Sequence, residues 1–489
     1  MRFLTGTVAI ATVLATTGIV VGPAAGAAEP PPVCAAEQSG EAQAAAMAHA
    51  CGQRVEVLAK RTEYAQVFAN PSGTFTIEQH AAPVRVRTRS GSWTPIDTRL
   101  RKLPDGSLAP AATLADVRFS GGGNAAAVSL SNSRGRLELN WPATLPVPRI
   151  DGDSAVYPEV LPGVDLRVQA LASGFTHVLV VRTREAAADP ALRRIRYSLA
   201  SPGLASRPAG DGFELVDSSG TAVVRGGAPL MWDSRGDDSG PAASTARAPG
   251  DQARTVRARL SIPAAADKRD VVIEPDADLL ADPAAVLPIY IDPYYETAWH
   301  HWTFANSTNT SNDRVTQRVG RSPDNGALYR TFIEFPTATL HGKHVLSARF
   351  YAKLVHSWSC ASTPVSLYWT ASVPMADRVG WSPGLWRHLD ERSAHAHKGS
   401  ADCGNQPDVN MEFAGGLAGL LQEAANGYWG PITLGLAARR ADGSAESTTS
   451  YWKKFDPGAP RMTAEYNSYP NTPTDRTIDN QACATGDGR

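Results

Sequence analysis

The chain has 489 residues, with 47 Lys and Arg set against 48 Asp and Glu. That length allows roughly two to four domains with real hydrophobic cores. A net charge of −1 supplies no field to draw in nucleic acid or anionic lipid.

The first residues speak to compartment. Arg2 precedes a largely apolar, uncharged run from Val8 to Val21, and Ala25-Gly26-Ala27 follows as an A-x-A cleavage signal. This order reads as a secretory signal peptide over 1–27. The run is too short for a comfortable membrane span, and no second long apolar run exists, so no membrane insertion is expected after cleavage. Residues 28–54 read as a short stapled segment with one helix over 35–51, where Ser39 can cap, Glu41 sits in the first turn and Gly52 follows the last.

The five cysteines are Cys34, Cys51, Cys360, Cys403 and Cys483. In an oxidising compartment the local pairs Cys34–Cys51 and Cys360–Cys403 read as disulfides. The second would close the longer loop, worth on the order of 4 kcal/mol in the chain-entropy view. Cys483 is left over, which suggests a partner in another molecule or in a domain further downstream.

From Val55 the texture becomes β-like. Short alternating runs such as Val84-Arg85-Val86-Arg87-Thr88, and apolar ones such as Val178-Leu179-Val180-Val181, are broken by turns such as Pro104-Asp105-Gly106 and Gly210-Asp211-Gly212. Many short strands at this spacing predict antiparallel β-sandwich architecture. Residues 233–254 are polar and rich in Gly and Pro, and predict a mobile surface loop. Ile289-Tyr290-Ile291-Asp292-Pro293 reads as a closing strand, placing one β-unit over 55–293 and a second, richer in tryptophan, over 294–468. Ala418–Ala425 predicts a short helix in the second unit, and 469–489 reads as a linker at which a longer protein is cut short. The fold class expected is therefore mainly β: two or more jellyroll-like sandwiches and a short N-terminal helix.

Two stretches carry a family resemblance. Tyr329-Arg330-Thr331-Phe332-Ile333-Glu334-Phe335, His344–Tyr351 after the Gly342 turn, Trp358 with Cys360, Trp381-Ser382-Pro383 with Trp386, and Tyr451–Phe455 followed by Pro460–Tyr466 occur in order. This set resembles the DNRLRE-type module, a β-sandwich grouped with carbohydrate-binding modules, and covers about a third of the chain. Arg54–Leu58, Tyr157–Leu166 and Pro229–Trp232 resemble the region that precedes such modules in long actinobacterial surface proteins carrying laminin-G-like or Rhs-type repeats. The resemblance implies a polysaccharide or cell-wall glycan as partner, and brings no catalytic residues.

No nucleophile elbow, H-E-x-x-H, P-loop or dinucleotide fingerprint is present. Two carboxylates far apart in the chain could still meet in space, so an unrecognised glycoside hydrolase or lyase stays as one alternative. A structural spacer of a longer Rhs-like or adhesin-like protein is the other. Candidate sugar contacts are tryptophans, whose flat indole suits the C–H face of a sugar ring. In Trp299-His300-His301-Trp302, strand alternation puts Trp302 opposite Trp299, so one could fill the core while the other faces out as a sugar contact; packing of both in the core or at an edge is the simpler reading. Trp381 and Trp386 lie in a turn-rich stretch near Tyr368 and Trp369. They read equally as a stacking platform or as pins for a long loop. Arg330 and Glu334 share one strand face and read as a structural ion pair. His395 and His397 face one way on an extended chain. Zinc would need Asp390 or Asp402 as well, and solvent-exposed loop histidines are the simpler reading. No cofactor is expected, with calcium left open at Asp292, Asp313 and Asp324-Asn325.

Overall fold

The computed structural model describes residues 33–469, except 228, 237–242, 251, 263–268, 298–300, 311, 313, 377, 382, 397–402 and 405, and two short paired strands, Thr477–Ile478 and Gln481–Ala482. The signal peptide and Cys483 lie outside the described residues.

The structure is mainly β, as the alternation predicts. In Ile195–Ala200 every second residue is buried, and Val164–Ala170 follows the same period. These strands belong to a first sandwich. One sheet runs Arg259–Ser261, Arg269–Glu274, Ile195–Ala200, Gly135–Asn140, Val128–Asn132, Asp116–Phe119, Leu108–Ala112, Asp97–Lys102. The other is built around Ser154–Leu161, Val164–Ala170, Gly174–Val181 and Tyr294–Glu296. Between them lies a core that includes Phe119, Leu137, Leu166, Phe175, Tyr197, Ile273 and Tyr295. The apolar run Val178–Val181 is explained by cover on both faces: Leu179 enters this core, whereas Val178 packs with Trp232 and Tyr290 beneath Ala253.

The described part of 233–254 packs onto this second layer. Trp232 Nε1 donates to the Thr245 carbonyl at 3.0 Å, Arg247 forms two bonds to Asp153, and Asp233 is fully buried. Polar side chains anchor the segment where apolar ones are scarce.

The second sandwich holds the strands of 302–468 and, in addition, the N-terminal strands. Phe75–His80 pairs antiparallel with Arg461–Ser468, so residues 55–80, expected with the first unit, are built into the second. Ala44, Val55, Val67 and Ile77 share one core with Phe304, Ile333, Phe350, Leu434 and Phe455. The first sandwich is thus inserted between the strands Phe75–His80 and Trp302–Asn306 of the second. Tyr294–Glu296 is the last strand of the first sandwich, so residues 294–296, expected with the second unit, pair within the first.

The two helices foreseen in the sequence are present. Glu41–Cys51 ends at Gly52, whose φ of 65° suits glycine, but its N-cap is Gly40 and not Ser39. Leu417–Gly427 packs its buried face (Leu417, Leu420, Leu421, Ala424) against Lys343–Ser357. Both expected disulfides form, Cys34–Cys51 and Cys360–Cys403. They are compatible with an exterior compartment. No helix among the described residues is long and apolar enough to cross a membrane.

Candidate functional site

The tryptophans of the second sandwich meet three different fates. Trp302 is 5% exposed and points into the core, with the Arg314 guanidinium 5.5 Å from its ring. It offers no face to a ligand, which corrects its place among the sugar contacts. The reason is that Trp302–Asn306 pairs with Leu328–Phe335 and is covered on both sides. Trp302 and Phe304 enter the main core, while Ala305 lies under Val373, Met375 and Val379 of the following loop. Trp299 and His300 lie outside the described residues.

Trp381 belongs to that covering loop. Half-buried, it packs against the cluster of Ala305, Phe332, Val373, Met375 and Val379, and the Arg330 guanidinium sits 4.8 Å from its ring centroid. Of the two readings of this residue, the loop pin is the one its contacts support. Arg330 keeps a structural setting but changes partner. Its guanidinium binds Glu446 twice, at 2.7 and 2.8 Å, and Arg439 approaches the same carboxylate at 3.6 Å. Residues four apart on a strand are about 13 Å apart, too far for an ion pair. Glu334 accordingly faces His301, at 3.8 Å.

Trp386 is 60% exposed. In the pairing of Thr363–Thr370 with Leu385–Ala394, Thr370 faces Leu385 and Trp369 faces Arg387, so Trp386 is the extra residue of a β-bulge. Bulges re-aim side chains, and this one turns the indole away from the covered face onto Trp369, edge to face at 5.0 Å. Trp369 in turn stacks on Trp429 at 5.3 Å and 13° between planes. The Arg387 guanidinium lies 5.1 Å from the Trp369 ring and binds Glu423 through two bonds of 2.8 and 2.9 Å. That ion pair raises the Arg387 pKa and lowers that of Glu423.

Trp429 is held from behind. Thr337 Oγ1 and His341 Nε2 both lie 2.7 Å from its carbonyl oxygen. Tyr428, which ends the helix in the left-handed region at φ 50°, is 66% exposed and 5.2 Å from the His341 ring. Such a φ is uncommon for a residue with a side chain; here it carries two consecutive aromatics off the helix end to the sandwich rim. Sequence reasoning reached Trp369 and Trp386 but missed Tyr428 and Trp429. Their signal was the Gly427-Tyr428-Trp429-Gly430 string directly after a predicted helix. Tyr368 faces elsewhere, buried against His388.

The metal candidates are occupied otherwise. His395 Nδ1 lies 2.9 Å from Ser362 Oγ, and Asp390 accepts from the backbone N–H groups of Ala414 and Gly415. Asp292 accepts from Thr176, Asp324 from Thr255, and Asn325 from the Ala327 N–H. Burial raises the Asp324 pKa. Among the described residues no group of three or more His, Cys, Asp or Glu could hold a metal ion. Asp313, His397 and Asp402 lie outside them. Asp292 and Glu296 do line one cleft of about 410 Å³ between the sandwiches, together with Arg247, Arg314 and Asp456.

No family model matches the chain, and no curated protein does. Solved structures with some similarity include an exo-β-1,3-galactanase from Phanerochaete chrysosporium with galactose, at 8% identity and a TM-score of 0.13, covering 78% of this chain and 100% of that one. AerE from Microcystis aeruginosa matches at 8% identity and a TM-score of 0.13, covering 66% and 99%. The N-terminal domain of the Streptococcus gordonii adhesin Sgo0707 matches at 7% and 0.14, covering 85% and 84%. Scores this low carry no argument about what the chain does.

Proposed function

We propose that this is a secreted, non-catalytic surface protein whose second sandwich binds polysaccharide along the rim formed by Trp386, Trp369, Trp429 and Tyr428. The observation that carries the reading is the exposure of Trp386, 60%, on an indole that rests edge-on against Trp369, which is itself stacked on Trp429. A single exposed ring needs no explanation, but contiguous aromatic surface rimmed by polar groups is what binding sites present. A sugar ring suits it, with C–H groups against the indole face and hydroxyls toward Arg387 and Glu423. The ordered resemblance of 329–466 to DNRLRE-type modules points the same way, and the signal-like N-terminus together with two disulfides supports export.

The test is retention of the full chain, with both disulfides formed, on insoluble and soluble polysaccharides, alongside Trp386→Ala and Trp381→Ala. Binding to one glycan class that is lost in Trp386→Ala and kept in Trp381→Ala is the expected result. Absence of retention on every polysaccharide would leave a structural spacer, a role that an inserted sandwich fixed at both of its ends would also suit.

A further inference from the structure

A second recess opens at one end of the same sandwich core, walled by strands that enter from the N-terminus. Ala65 pairs with Gln79 and Val67 with Ile77, so these four side chains share one face. Opposite them, the strand Leu328–Phe335 contributes Glu334, and Pro336, Ala338 and Thr339 form the lip. The result is a cavity of about 290 Å³, near the low end of ligand pockets and suited to one ring, not a chain.

Its floor is apolar, from Val67 and Ile77, both at most 3% exposed. Its polar groups converge and are incompletely used. Gln79 is 5% exposed; its Nε2 donates to the Pro336 carbonyl at 2.9 Å, which fixes the amide, and its Oε1 has no partner among the described residues. His301 Nδ1 is buried, has no hydrogen bond among the described residues and lies 3.8 Å from Glu334. Tyr64 packs edge-on against His301 at 5.2 Å, and burial pushes its phenol up to about 12, so it stays a neutral O–H. His80 lines the same cavity and is held neutral, its pKa lowered to about 4 by burial. Buried acceptors left unpaired are costly and call for an explanation.

We infer that this recess binds one neutral, hydroxylated ring, a single monosaccharide unit. The argument is one of matching. The recess presents an acceptor in Gln79 Oε1, an anionic acceptor in Glu334, a phenolic donor in Tyr64 and an imidazole that can act either way. A hydroxyl both donates and accepts, so a polyol can satisfy all four, with its C–H face on Val67 and Ile77. An ammonium would leave the donors idle. A carboxylate or phosphate would meet Glu334. The inference stands apart from the aromatic rim: it uses none of those side chains, although Thr337 and His341 behind Trp429 belong to the same turn region as the lip.

The experiment is saturation-transfer NMR and calorimetry on the disulfide-bonded full chain with glucose, galactose and N-acetylglucosamine, and with methylammonium and acetate as charged probes. Three variants accompany it. Ala338→Trp closes the mouth from an exposed position, Gln79→Leu removes the unpaired acceptor, and Trp386→Ala removes the rim. Expected is binding of at least one sugar that Ala338→Trp abolishes, Gln79→Leu weakens by up to about tenfold and Trp386→Ala leaves intact. Three results would each overturn the inference: no sugar signal at millimolar concentration, preference for a charged probe, or binding that survives Ala338→Trp and disappears in Trp386→Ala. Should Gln79→Leu fail to fold, Ala338→Trp alone decides, because Ala338 is exposed. Polysaccharide retention that fails while the monosaccharide binds would sink the rim proposal and leave this one standing.

Discussion

The two sandwiches treat their aromatic residues in opposite ways. In the first, Phe175, His177, Tyr197 and Tyr295 pack ring against ring inside a sealed core, and among the described residues its large exposed apolar side chains are the aliphatics Val147, Ile150 and Val286. In the second, Trp386 and Tyr428 stand in solvent while Trp302 and Trp381 do not. The same class of fold therefore yields one unit that reads as frame and one that carries a surface. Within the second, two tryptophans five positions apart divide the same way: Trp381 pins a loop and Trp386 braces a rim. What separates them is the bulge at Trp386 and the loop that covers the other face.

The sharpest way to break the contrast is at Arg330, beneath Trp381. Its ion pair with Glu446 is 11% exposed at both side chains. Arg330→Ala should cost about 3 kcal/mol, because it leaves the buried Glu446 carboxylate with only the longer Arg439 contact. Arg330→Met with Glu446→Leu should restore most of that, as read by chemical denaturation. A small loss in the single variant would mean that water reaches the pair and that the covered face is not sealed.

Acid probes the closed interior of the first sandwich. His177 is 1% exposed, has no hydrogen-bond partner at either ring nitrogen among the described residues, and burial lowers its pKa from 6.5 to about 3. The unfolded chain binds the extra proton first. Stability from this residue is therefore full above pH 6.5 and is lost as pH falls toward 3, on the order of 3 kcal/mol by pH 4. His177→Phe should flatten that part of the stability–pH curve; an unchanged slope would assign the acid sensitivity to other groups, such as His80.

Trp381→Ala should cost about 2 kcal/mol through lost packing on Phe332 and Arg330, and leave glycan retention as it was. Trp386→Ala should change stability by less than about 1 kcal/mol, yet weaken glycan binding by about tenfold or more. If the pair behaved alike in either measurement, the division between pin and rim would fail.

Much of this was legible locally. The alternation in Ile195–Ala200, the C-terminal glycine at Gly52, the apolar stripe of Leu417–Gly427 and the proximity of each cysteine pair are short-range properties, and the structure follows them. Trp369 and Trp386 could be singled out because large rings in a turn-rich stretch are conspicuous. What they rest on could not. Trp429 reaches Trp369 from 60 positions away, and Glu446 reaches Arg330 from 116.

Sequence by itself determined the class of fold, the two disulfide pairs and the whereabouts of the helices, because periodicity and turn chemistry act over a few residues and the cysteines fall into two pairs only 17 and 43 positions apart. The tertiary structure alone decided that Phe75–His80 pairs with Arg461–Ser468 across the whole inserted sandwich, which face of each strand is covered, and hence which tryptophan meets water. Those outcomes depend on strand pairings between distant segments, and alternation along a strand assigns a residue to a face without saying what lies over it.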